Sequence, residues 1–376
     1  MNRFNETKAK LVLQDGTIFE GKGFGFPVNV SGEIVFNTGM VGYTETLTDP
    51  SYKGQILCFT YPSIGNYGVP SMDSLDEYGL PKYFESDRIQ TNGIIVNNLS
   101  DVSSHWTCTK TLDQWMYDER IPGITNIDTR ELTKKIRSHG VMNGKLVMDE
   151  SEHPVVNRFD YDSHNFMPEV SITEPRFYGN KNNNFKVVLI DTGTKYSIIR
   201  NLLKLGFTVV RLPWDSTINE ILSYNPAGVV ISNGPGDPII CRETISTASK
   251  IIENAIPTLG ICLGNQILAL AGGAKTHKLK FGHRGQNKSC LDINSKITLI
   301  TSQNHGYGVE SDSLHDTEFE VWFKNIDDNT VEGIKHKNKP IIAVQFHPEA
   351  SPGPDDCLYV FEKFKELVKK AGIVVS

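Results

Sequence analysis

Cys262 lies in Gly260-Ile-Cys262-Leu-Gly264-Asn-Gln266, where a short apolar run gives way to a helix-forming one. A strand-to-helix corner of this kind exposes a nucleophile at a sheet edge, and small flanking residues let the backbone bend and pack closely. The helix that follows offers its first N–H groups to an oxyanion, and its dipole favours a negative sulfur. Most cysteines are plain packing residues. Cys58, Cys108, Cys241, Cys290 and Cys357 keep that reading, whereas glycine flanking and strand-end placement set Cys262 apart. A thiol nucleophile needs a base, and Ile341-Ile-Ala-Val-Gln-Phe-His347-Pro-Glu349 supplies one directly after another apolar run. His347 would take the thiol proton, while Glu349 would accept from the other ring nitrogen and fix the tautomer. Neither residue is persuasive alone; together with the cysteine corner they form a triad. A third segment, Ile231-Ser-Asn-Gly234-Pro-Gly236-Asp-Pro238, again follows an apolar run and is too rich in Gly and Pro for helix or sheet. Taken alone it is a turn. Beside the corner, the main chain of Gly234 and Gly236 could meet an amino-acid substrate, and the Leu263 N–H could complete an oxyanion hole.

Three such segments need a scaffold that brings strand ends together. From Lys186 onward, apolar strands alternate with helices over 196–205, 218–224, 243–254 and 265–271, the pattern of a parallel sheet covered on both faces. Ligands bind such sheets at the carboxyl ends of the strands. The first half reads differently, as a β-rich mixed α/β domain. It opens with a hairpin around Asp15-Gly16, continues with strands near 32–37, 55–60 and 92–96, and carries a short helix from Arg130 to His139 closed by Gly140. The polar stretch Glu174 to Asn184 reads as a linker, with the boundary near Lys181 and domains at 1–180 and 185–374.

Composition narrows the function. A chain of 376 residues is long for one core, and 39% hydrophobic with 22% charged residues is enough to build two. Net charge of −6 argues against a nucleic-acid partner. The six scattered cysteines form no C-x-x-C pair, so neither a zinc site nor a disulfide framework is expected, and a reducing compartment fits. The polar stretch Met1 to Lys10 has neither a signal core nor a transit pattern, and no apolar run approaches a membrane span. Many Lys, Asn and Ile residues suit an AT-rich genome, which makes the bacterial cytoplasm or a plastid stroma the expected location.

SNGPGDP, GICLGNQ and HPE, in this order, resemble a class I, triad-type glutamine amidotransferase domain over roughly Lys186 to Gly372. Ser51 in Leu47-Thr-Asp-Pro-Ser-Tyr, Pro62-Ser-Ile-Gly-Asn, Asp128-Thr-Arg-Glu-Leu-Thr, Gln303-Asn-His-Gly306 and Ala350-Ser-Pro-Gly-Pro resemble, more narrowly, the small chains of carbamoyl-phosphate synthetases. That resemblance implies a flavodoxin-like open parallel sheet for the second domain and contact with a large subunit for the first. It implies glutamine hydrolysis at Cys262, His347 and Glu349. Glutamine would be held by Ser51, Gly234, Gly236, Leu263, Gln266, Asn304, Gly306 and Tyr307. The ammonia would pass to a larger partner in a heterodimer or a higher assembly. That partner would make carbamoyl phosphate from bicarbonate and ATP for arginine and pyrimidine synthesis. No G-x-x-x-x-G-K phosphate loop occurs in this chain, so ATP and its divalent cation are expected on the partner, with no cofactor or metal here.

Two positions depart from the family pattern. Asn265 stands where the motif usually carries histidine, outside the triad, and Tyr307 stands where Phe is commoner. The rival readings are a glutamine-sensing subunit without turnover, and an amidotransferase serving another synthetase, such as those for anthranilate or guanylate. The intact triad opposes the first, and the resemblance of the N-terminal domain opposes the second.

Overall fold

Asp15-Gly16 makes the expected turn: Gly16 takes φ 86°, the Asp15 carboxylate accepts from Thr17 N–H at 3.0 Å, and Leu13 N–H donates to Thr17 O at 2.9 Å. The turn joins β1 (Lys8–Leu13) to β2 (Ile18–Gly25) in a computed structural model that describes residues 7–149, 160–180 and 185–372. The chain divides into two units between His164 and Asn165.

In the first unit there follow β3 (Val30–Asn37), α1 (Tyr43–Thr48), β4 (Gln55–Phe59), the short β5 (Ser63–Ile64), β6 (Gly93–Ile95), β7 (Asn98–Leu99), α2 (Leu112–Asp118), β8 (Pro122–Thr125), α3 (Thr129–His139) and β9 (Met142–Met148). The expected strands and the expected helix are present. Asp128 caps α3 by accepting from Glu131 N–H at 2.8 Å, and Gly140 ends it at φ 98°. What the mixed α/β reading did not contain is closure. The strands run β1-β2-β8-β6-β4-β3-β9 and β9 returns to pair with β1, opposing Leu11 to Leu146, so a barrel forms and its edges disappear. Apolar side chains, among them Val35, Leu57, Phe84, Ile94 and Trp115, pack into one buried cluster.

The second unit begins with α4 (Met167–Val170) and β10 (Arg176–Tyr178), continues through β11 (Lys186–Asp191), α5 (Tyr196–Lys204), β12 (Thr208–Pro213), α6 (Ile218–Ser223), β13 (Gly228–Ile231), α7 (Arg242–Glu253), β14 (Thr258–Ile261) and α8 (Leu263–Ala271), and ends with β15 (Thr276–Asp292), β16 (Thr298–Val309), β17 (Phe319–Asn325), β18 (Val331–His336), β19 (Ile341–Val344) and α9 (Tyr359–Lys370). Five strands in the order β12-β11-β13-β14-β19 are parallel, as a flavodoxin-like sheet requires. β11 is the first of them in the chain and lies between the second and third, so the winding reverses there and opens a crevice beyond the strand ends. The sheet does not stop at β19. It continues antiparallel through β18-β16-β15-β17, an extension hidden in the sequence because the β15–β16 hairpin breaks register between Lys278 and His283 and again between Gly285 and Lys288.

The linker reading needs correction. Arg176–Tyr178 pairs antiparallel with β12, setting Phe177 against Val210, so residues after His164 already belong to the second unit and the division precedes Lys181. Edge pairing satisfies the backbone of a stretch whose side chains look like loop. Lys181 itself, with 182–184, lies outside the described residues, as do Met1–Glu6 of the N-terminal stretch and the end of the second domain beyond 372.

Candidate active site

The corner after β14 bends at the cysteine itself. Cys262 takes φ 53° and ψ −100°, and its N–H donates to Val344 O at 2.8 Å, tying the corner to the end of β19. Holding a non-glycine residue there costs on the order of 1–3 kcal/mol, which the surrounding sheet must supply. The neighbouring glycines serve close packing instead of the bend. A Cβ on Gly260 would stand 2.7 Å from Gly264 O, and Gly264 N–H donates to Ser232 O at 3.1 Å at the end of β13.

β19 delivers His347 beside this corner; its N–H donates to Ser302 O at 2.9 Å. The ring Nδ1–H donates to Glu349 Oε1 at 2.6 Å, since a carboxylate there can only accept. Nε2 is buried and makes no hydrogen bond of ordinary geometry, although the Cys262 thiol lies close enough to act on the ring. Behind Glu349 stands Lys195, whose Nζ is 3.1 Å from Glu349 Oε1 and also donates to Ala350 O. All four side chains are buried. Burial works against a charged ring, yet the Glu349 carboxylate and the thiol push His347 up to about 10. Burial likewise opposes ionised Glu349, and Lys195 with His347 overcomes it, holding that carboxyl well below the ordinary range. The line Lys195–Glu349–His347–Cys262 therefore favours an imidazolium next to the sulfur, the state that protonates a leaving amine. Sequence reasoning missed Lys195. Its place in the short loop between β11 and α5, beyond a strand carboxyl end, was the available signal.

The Gly-rich loop meets the corner from β13. A Cβ on Gly234 would stand 2.8 Å from Leu263 Cδ2, so the two residues are neighbours. Neither the Gly234 nor the Leu263 N–H has an acceptor among the described residues, which leaves two donors for an oxyanion. Gly236 takes φ 89°, a conformation that disfavours any side chain. From β16, Asn304 O accepts from Cys262 Sγ at 3.6 Å and Tyr307 O accepts from Gln266 Nε2 at 2.8 Å. A Cβ on Gly306 would lie 3.2 Å from Arg284 Nη2. The structure thus gathers Cys262, Leu263, Gly234, Gln266, His347 and Glu349 at one set of strand ends, with Asn304 and Tyr307 reaching them from within β16. Ser51 belongs to the first unit, buried in a single 3-10 turn where its N–H donates to Asp49 Oδ1 at 2.9 Å.

His305 of the Gln303–Tyr307 stretch, His283 and Glu332 place potential ligand atoms within 4.8 Å of one another. These atoms are engaged with each other. His283 Nδ1 lies 3.2 Å from Glu332 Oε1, its Nε2 lies 2.8 Å from Asp328 Oδ2, and Gln303 Nε2 donates to Glu332 Oε2 at 3.0 Å. Burial lowers His283, but Asp328 and Glu332 raise it to about 9, so a proton fills the space between ring and carboxylate at neutral pH. The cluster reads as a buried ion-pair network supporting the hairpin.

Asn265 is fully buried; its Nδ2 donates to Gln345 Oε1 at 3.1 Å, and its Oδ1 has no hydrogen-bond partner. It makes no hydrogen bond to the sulfur or to His347. Asn265→His is therefore expected to change kcat for the glutamine hydrolysis that the resemblance implies by less than about tenfold, ~1.4 kcal/mol in barrier. Steady-state ammonia release checks this, and a far larger gain would mean that the native residue impairs turnover.

Residues 11–146 match the family model described as carbamoyl-phosphate synthase small chain, CPSase domain, and residues 188–367 match glutamine amidotransferase class-I. The carbamoyl phosphate synthase small chain of Pyrococcus furiosus is 49% identical over 367 residues, covering 96% of this chain and 98% of that one. The carbamoyl phosphate synthase arginine-specific small chain of Chaetomium globosum is 45% identical over 364 residues, covering 96% of this chain and 78% of that one. The multifunctional protein CAD of Squalus acanthias is 46% identical over 370 residues, 98% of this chain but 16% of its own.

Proposed function

This chain belongs to the carbamoyl-phosphate synthase small-chain family, and from that membership we infer that glutamine is cleaved at Cys262. It is the glutamine amidotransferase subunit of a carbamoyl phosphate synthase, and it works with a large subunit. Sγ of Cys262 attacks the glutamine side-chain amide carbon, and the N–H groups of Gly234 and Leu263 receive the oxyanion. His347 passes its proton to the leaving nitrogen, ammonia departs, and a thioester remains. Neutral His347 then deprotonates a water; the water attacks the thioester, and glutamate leaves with the thiol restored. Glu349 holds the ring in its working tautomer, and Lys195 keeps Glu349 ionised. Ser51, Gly236, Gln266, Asn304, Gly306 and Tyr307 complete the glutamine contacts in this reading.

The ammonia serves carbamoyl phosphate synthesis on the large subunit, where ATP and its divalent cation bind, in a heterodimer or a multiple of it. The compartment is reducing, either bacterial cytoplasm or plastid stroma, and neither nucleic acid nor membrane is a partner. Among the described residues no helix is long and apolar enough to cross a membrane.

The observation that carries this reading is the buried line from Lys195 through Glu349 and His347 to a cysteine at a strand-to-helix corner. Thiol labelling tests it. Burial pushes Cys58, Cys241 and Cys357 up to about 12 and raises Cys290 as well, so these thiols resist alkylation near neutral pH. A glutamine-like chloromethyl ketone should modify Cys262 first, and excess glutamine should protect it, as read by peptide mass mapping. Equal labelling of Cys58 or Cys290, or failure of glutamine to protect, would sink the assignment.

A further inference from the structure

Gln345 was not among the residues singled out from the sequence, and the glutaminase steps above do not use it. It is fully buried between β19 and His347, and its N–H donates to Glu332 O at 2.8 Å. Its side chain touches three residues of the corner. Oε1 lies 3.1 Å from Gln266 Nε2 and 3.1 Å from Asn265 Nδ2, and Nε2 lies 3.7 Å from Cys262 Sγ.

The orientation of this amide is fixed by a chain of necessity. Tyr307 O is a backbone carbonyl and can only accept, so the amide end of Gln266 that meets it at 2.8 Å is the NH2 end. The second hydrogen of that NH2 group then points to Gln345, which must answer with its oxygen. With Oε1 committed to Gln266 and Asn265, the NH2 of Gln345 is left facing the sulfur. A flipped amide would set two donors against each other inside a buried pocket and lose the sulfur contact as well.

We propose that Gln345 is a positioning residue that presents a fixed N–H donor to Cys262 Sγ, holding the sulfur in line for attack and stabilising its negative charge whenever it is a thiolate. The thiol already donates toward Asn304 O at 3.6 Å. A donor on another side therefore becomes useful when the proton has gone and the sulfur can only accept. The inference rests on Cys262 being the nucleophile.

The test uses the complex of this chain with its large subunit, assayed for glutamine hydrolysis and, as a control for folding and assembly, for ammonia-dependent carbamoyl phosphate synthesis. Gln345→Met keeps the length of the side chain and removes the donor; kcat for glutamine should fall about 10- to 100-fold, the range for one hydrogen bond to a charged group. Gln345→Glu is the second arm. When protonated it can accept from Gln266 and Asn265 and donate to the sulfur, and when ionised it can only accept. The ratio of its kcat to that of the unaltered protein should therefore decline as pH is raised, with KM changed little. A structural role alone would give a ratio independent of pH.

A Gln345→Met complex that folds, keeps ammonia-dependent synthesis and retains kcat within about twofold would overturn the proposal. If Gln345→Met does not fold, a flat ratio for Gln345→Glu overturns it and a declining one supports it. Retained glutaminase activity in Cys262→Ala would instead refute the nucleophile on which both readings stand.

Discussion

Replacing Cys262 by alanine should abolish glutamine-dependent carbamoyl phosphate synthesis in the assembled enzyme and leave ammonia-dependent synthesis intact. In the proposed cycle the nucleophile is the one group whose loss is not made good, because Asn304 and Gln345 beside the sulfur are amides without nucleophilic character and His347 is held by Glu349 as the base. Triads act as units, and losing the nucleophile of one costs about 10⁴-fold or more, with only oxyanion stabilisation and substrate binding left behind. The substitution is also mild for the fold. Alanine keeps a Cβ at φ 53°, and the N–H bond to Val344 O involves only backbone. Carbamoyl phosphate measured with glutamine and then with an ammonium salt separates the outcomes. Continued use of glutamine would show that Cys262 is not the nucleophile. Failure of the unaltered complex with both nitrogen sources would show that the assigned partner reaction is wrong.

His347→Asn should cost glutamine hydrolysis about 10³-fold, again with ammonia-dependent synthesis spared. In the proposed cycle the imidazole handles every proton, first taking it from the thiol, then giving it to the departing nitrogen, then taking one from water. Asparagine is shorter and has no basic nitrogen for any of these transfers. The loss should be smaller than for Cys262→Ala, because a thiol ionised in part by solvent can still attack. The lysine–glutamate pair survives the change, since Lys195 still faces Glu349 at 3.1 Å, so the buried carboxylate keeps a cation. Rapid quench with labelled glutamine reads the step affected: slow thioester formation is expected, together with slow breakdown of what does form. A variant with an unaltered acylation rate would move the base elsewhere.

What the sequence determined by itself was local. A cysteine between glycines at the end of an apolar run, and a histidine two residues before a glutamate after another such run, are short-range patterns whose chemistry survives any arrangement that brings strand ends together. The alternation of strand and helix after Lys186 required a parallel sheet, and a parallel sheet requires its functional loops at the carboxyl ends. The Asp15-Gly16 hairpin and the Gly140 helix stop were legible for the same reason: backbone conformation there is set by the residues themselves.

Tertiary structure decided everything that depends on pairing between distant residues. Closure of the first unit rests on Leu11 opposing Leu146, and neither residue signals the other. Arg176–Tyr178 looks like linker because an edge strand is stabilised by its neighbour's backbone and leaves little mark on its own side chains. Lys195 and Gln345 carry no motif of their own. Each gains meaning only where folding removes water and brings distant partners into reach, Glu349 and Ala350 O for the lysine, and Gln266, Asn265 and the Cys262 sulfur for the amide. In water those contacts would be worth little; inside the closed corner an ion or an N–H without a partner is costly, so burial itself selects the arrangement.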